Sequence, residues 1–73
     1  MSWNYRIINH GTHYALHEVF YRDGKPASYT AEPVAFVGDP EDGAEGVCAS
    51  LACALEAGKR PVLTPADFEG EGV

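Results

Sequence analysis

Between residues 3 and 32 the polarity pattern has a period of two, broken at two glycine-containing pairs. "WNYRIINH" (3–10) and residues 13–22 mix aromatic and β-branched side chains and read as strands. Gly11-Thr12 between them suits a two-residue type II′ turn, in which position i faces position 23 − i. Asp23-Gly24 is a type I′ signal leading to a third strand over 25–32, with i facing 47 − i. In these registers one face collects Trp3, Tyr5, Ile7, Tyr14, Leu16, Phe20, Ala27, Tyr29 and Ala31. The other collects Asn4, Arg6, Ile8, Ala15, His17, Val19, Tyr21, Ser28, Thr30 and Glu32. The first is the more apolar and is the expected core face. Pro33 suits an edge or a bend, and "VAF" (34–36) continues extended.

The period then changes. Val47, Leu51 and Leu55 recur at helical spacing, with Cys48 and Ala52 beside them, predicting a helix over about 44–57. Asp39 is the expected N-cap and Pro40 the first helical residue, with Gly43 and Gly46 moving the true start toward Gly43. Gly58 and Pro61 end the helix. The Val47/Leu51/Leu55 stripe is expected on the Trp3/Leu16/Phe20 face. "LTPADF" predicts a short capped turn, with Thr64 as cap and Leu63 reaching Phe68. The expected fold is α+β: a three-stranded antiparallel meander (βββα), one main helix packed on one face, and a short C-terminal turn. Residues 1–69 form a single domain and 70–73 a frayed tail.

Seventy-three residues make one small domain of limited stability. The apolar share, 45%, is that of a globular chain, and no run reaches the roughly 18 apolar residues of a membrane span. "MSWNYRII" lacks the features of a secretory signal, so a cytoplasmic location is expected. Residues 1–37 balance three acids with three bases, whereas 38–73 carry eight acids against Lys59 and Arg60. This acidic half disfavours direct nucleic-acid binding and suits a basic protein partner, and no membrane partner is expected. Cys48 and Cys53, five apart on one helix, are about 8–9 Å apart and too distant for a disulfide.

Chemistry-bearing residues concentrate in "HGTHYALHEVF" (10–20), which holds all three histidines. His10 and His13 face each other across the turn, while His17 lies about 13 Å along the strand from His13. On that backbone spacing the three imidazoles do not converge, and no metal or other cofactor is expected. His17 heads a polar patch with Arg6, Thr30 and Glu32, readable either as a solvated row or as an anion-binding or acid–base group. Glu18 falls on the expected core face between Tyr5 and Tyr29, where either their hydroxyls satisfy it or it lies at the open rim of the sheet. Neither set supplies an oriented nucleophile, so no catalytic residue is assigned. Ile8, Val19 and Tyr21 lie on the face expected to be left open, and form a candidate interface for a homodimer or partner.

"YRII" (5–8), "LHEVFY" (16–21), "GKP" (24–26), "EPVAF" (32–36) and "RPVL" (60–63) give the chain, over nearly its full length, a resemblance to a family of small uncharacterised bacterial proteins. More loosely, the order of strands, Gly38-Asp39 turn and acidic helix resembles the N-terminal domain of HicB-type antitoxins. The Pro-Gly stretch usual after the third strand of those antitoxins is missing here, and DNA-binding autoregulation is not expected. The resemblance implies a βββα fold and an antitoxin-like inhibitor. The expected function is therefore a small acidic protein-interaction module, not an enzyme. The alternatives are a phage-type, anti-CRISPR-like inhibitor of a nucleic-acid enzyme, and a small-ligand binder or enzyme using His17, Arg6 and Glu18.

Overall fold

In the computed structural model, residues 2–37 and 39–68 are described. The expected tail at 70–73 lies outside them. Three strands, β1 (Ser2–Asn9), β2 (Tyr14–Arg22) and β3 (Lys25–Tyr29), form one antiparallel sheet in the order β1-β2-β3, followed by helix α1 (Gly43–Ala57). The α+β, βββα arrangement is thus as the sequence pattern predicts.

The first register is the expected one throughout, from Ser2 opposite Tyr21 to Asn9 opposite Tyr14. At the second turn Asp23 and Gly24 have φ of 52° and 78°. Two successive positive φ values are what a type I′ turn requires, and they leave the strands twisted compatibly. Arg22 pairs with Lys25 and Tyr21 with Pro26, as expected. Beyond them the register shifts, so that Phe20 faces Ser28 and Val19 faces Tyr29. Ala27 is the extra residue of a β-bulge beside a proline that cannot donate to the ladder.

That bulge corrects the face assignment. Tyr29 is carried opposite Val19 instead of opposite Glu18, and joins the side that is buried. Ile8 and Val19 are fully buried, His17 and Tyr29 nearly so. Of the expected core face, none of Trp3, Tyr5, Ile7, Tyr14, Leu16 or Phe20 is buried. The apolar content of the two strand faces does not determine which of them is covered. The cover comes from the C-terminal segment. Leu63 donates its N–H to the Ile7 carbonyl (3.0 Å) and accepts from Asn9 (2.8 Å), forming a parallel bridge beside β1. Beyond it, a turn of 3₁₀ helix (Pro65–Asp67) is held by the Asp67 carboxylate, which accepts from the Thr64 N–H at 2.8 Å and from its hydroxyl at 3.3 Å. This brings Phe68 onto Ile8, Val19 and Tyr29, with Tyr21 and Leu63 at the rim.

Helix α1 meets the sheet chiefly at β1. Its N-cap is Asp42, not Asp39, whose carbonyl instead accepts from Asp42 and Gly43 in a preceding turn. Gly58 is right-handed (φ −64°), so it does not form the left-handed C-terminal cap. The inward stripe is Val47, Ser50, Ala54 and Ala57, of which only Ala57 is buried. Leu51 and Leu55 are 50% and 68% exposed, so the expected packing of a leucine stripe on Trp3, Leu16 and Phe20 does not occur.

Candidate functional site

The buried face of the β1–β2 hairpin carries a histidine cluster. His10 continues the Ile8 side of β1, and His13 and His17 lie on the same side of the following strand. Only the methyl of Ala15 stands between His13 and His17 on that side, so imidazoles can lean together over it. His10 Nε2 and His17 Nε2 are 3.0 Å apart. The His10 ring also stacks on His13, with centroids 4.9 Å apart and planes 21° apart. The His10–His17 contact is not anticipated by the sequence, although among the described residues the three imidazoles do not form a metal-holding group. Backbone spacing alone omitted side-chain reach along the strand.

The protons in this pair can be placed by elimination. His17 Nδ1 lies 2.9 Å from the Thr30 carbonyl oxygen, which can only accept, so Nδ1 carries the hydrogen. The Nε2 of a neutral His17 is then an acceptor, and His10 Nε2–H donates to it. Burial pushes the His17 pKa below its ordinary 6.5; the Thr30 carbonyl opposes this, and the positive potential of His10 and His13 adds to it. His13 turns its Nδ1 to the Thr12 hydroxyl at 2.8 Å.

Rings continue from this pair into the core. His17 meets Tyr29 edge-on at 5.1 Å, and Tyr29 meets Phe68 at 4.7 Å. The sequence singled out His17 but missed His10, Leu63 and Phe68 as its connected partners. A parity check on the first register would have placed His10 and His17 on one face. No local signal announced that the C-terminal turn would reach them.

The candidate polar patch is only partly assembled. Thr30 engages His17 through its backbone carbonyl, while its hydroxyl donates to the Glu32 carbonyl at 2.9 Å. The Glu32 residue is exposed. Arg6, though paired with His17 across the strands, directs its guanidinium to the Tyr21 hydroxyl (2.9 Å) and the Pro61 carbonyl (2.7 Å). Tyr21 in turn donates to the Asn4 side-chain oxygen at 2.8 Å. Among the described residues the buried Arg6 Nε has no hydrogen-bond partner, a cost on the order of 1–3 kcal/mol. Glu18 pairs with Tyr5 but lies across the sheet from Tyr29, so the proposed Tyr5–Glu18–Tyr29 set is not formed. Nor can Glu18 join His17 and Arg6, which project from the other face.

Ile8 and Val19 are unavailable as an interface because they form the core. Exposed large apolar side chains lie elsewhere: Trp3, Tyr14, Phe36, Val37, Leu51, Leu55 and Val62. Trp3, Asn4 and Tyr5 line one side of an open cleft of about 420 Å³, with Cys53, Glu56 and Arg60 on the helix side. Cys48 and Cys53 are exposed free thiols. Among the described residues, no three His, Cys, Asp or Glu side chains form a metal-holding group, and no helix is long and apolar enough to cross a membrane. No protein-family model, curated protein or solved structure matches the chain.

Proposed function

We propose that the protein is a protein–protein interaction module whose contact surface includes Trp3 and the outward leucines of α1. The supporting observation is the unusual exposure of apolar bulk. Trp3 is 53% exposed at the mouth of a cleft, and Leu55 on the helix is 68% exposed. Fully burying a leucine contributes about 1.5–3 kcal/mol, which a domain this small gains only from a partner. Tryptophan is also a favoured anchor at interface centres. Residues 38–73 carry eight acids against two bases, and Glu56 lines the cleft beside Trp3, which favours a basic partner.

An antitoxin-like inhibitor is the narrower form of this reading, and it rests on the resemblance to HicB-type antitoxins. A cytoplasmic setting accords with two free, exposed thiols. The reading is tested with the tagged protein by co-purification at low and high salt, identifying partners by mass spectrometry. Wild type is expected to retain a basic protein that salt weakens and that Trp3→Glu releases. Light scattering on the purified chain tests the homodimer in parallel. A nucleic-acid enzyme as the retained partner would favour the phage-type inhibitor.

A further inference from the structure

We propose that the His10–His17 pair is an acid-labile lock holding the C-terminal segment, residues 63–68, on the sheet. The lock follows from donor and acceptor count. With His17 Nδ1–H committed to the Thr30 carbonyl, the pair survives on one shared hydrogen between the two Nε2 atoms, 3.0 Å apart. A proton added to His10 Nδ1 leaves that bond intact, because Nε2–H still donates. Once His10 carries that proton, a second one on His17 Nε2 removes the acceptor and sets two N–H groups, and two like charges, against each other.

Among the described residues no carboxylate faces the second charge. From β1, Arg6 is the cross-strand neighbour and is itself cationic. From the hairpin turn, His10 and His13 are the neighbours and oppose further protonation. From β3, the group is the Tyr29 ring, followed by the Thr30 carbonyl. From the C-terminal turn, Phe68 bears on Tyr29 and is apolar. Beyond β3, Glu32 reaches His17 through its backbone. Among the described residues the one salt bridge is Lys59–Glu56, so no carboxylate pairs with His17.

The consequence travels through packed rings. His17 supports Tyr29, Tyr29 supports Phe68, and Phe68 covers Ile8 and Val19. Driving His10 and His17 apart loosens this stack at its base. The release would uncover Ile8, Val19 and Tyr29, an apolar surface distinct from the Trp3 cleft.

The test is amide hydrogen exchange by NMR on the full chain at about pH 8 and about pH 5, spanning the range in which histidine changes charge. Rates are corrected for the intrinsic pH dependence of exchange. In wild type, protection at Asn9, His10, Leu63 and Phe68 is expected to fall about tenfold or more at the lower pH, as local opening of the segment requires. His10→Gln should suppress that fall, since a carboxamide can donate to neutral His17 or accept from charged His17. Imidazole nitrogen shifts in wild type give a reading that does not depend on the variant folding. Loss of protection must follow protonation of His17 Nε2. Unchanged protection at about pH 5, an equal fall in His10→Gln, or a fall that follows carboxylate titration near pH 4 would each overturn the lock.

Discussion

Neighbouring residues Ile7 and Ile8 are the same amino acid in the same strand, yet only Ile8 is fully buried. Ile8→Ala is therefore expected to cost about 2–5 kcal/mol, because it empties a closed space. Ile7→Ala, on the half-covered face, should cost clearly less. Urea unfolding at neutral pH checks the pair, and an equal or reversed order would contradict the face assignment. Val19→Glu should unfold the chain instead of splitting a dimer, since it places a charge in the core. The sequence located both isoleucines and paired them correctly with Leu16 and Ala15. It did not show which would be covered, because Phe68 lies far along the chain and its approach is a tertiary event. His17 was legible as unusual. Its contact with His10 is not legible in backbone spacing, because the reach of the side chains along the strand decides it.

At the scale of elements, turns were the most legible features. Asp23-Gly24 is nearly sufficient by itself to dictate a type I′ hairpin, and both residues have the positive φ it needs. No comparable signal announced the bulge at Ala27, and that single extra residue moved Tyr29 to the other face. The helix was legible in extent but not in orientation. After Val47 its inward stripe is the small residues Ser50, Ala54 and Ala57, which permit close approach to β1, whereas the hydrophobic pattern places Leu51 and Leu55 inward. The C-terminal turn was legible as a cap, and its contribution is measurable. Asp67→Ala removes the carboxylate that holds the Thr64 N–H and should cost about 1 kcal/mol. Phe68→Ala should cost about 3–5 kcal/mol, a large part of the stability of so small a domain. Thermal unfolding of the two variants would show whether this turn carries the core, and a wild-type midpoint for Phe68→Ala would contradict it.

At the scale of the whole molecule, stability should depend on pH in one direction near neutrality. His17 has a lowered pKa in the folded state, so the unfolded chain binds more protons as pH falls below about 6.5. Its contribution is complete above that value and is progressively lost as the pH falls through the folded-state pKa. A urea midpoint that is flat or rising from about pH 7 to pH 5 would contradict this sign. The remaining whole-molecule feature is the outward apolar surface beside an acidic half, and it is tested most directly by salt-dependent co-purification of wild type and Trp3→Glu. The account predicts a basic protein bound to wild type at low salt, weakened as salt rises, and depleted in a Trp3→Glu variant that remains folded. Wild type recovered alone and monomeric under every condition, or a partner retained undiminished by Trp3→Glu, would contradict it.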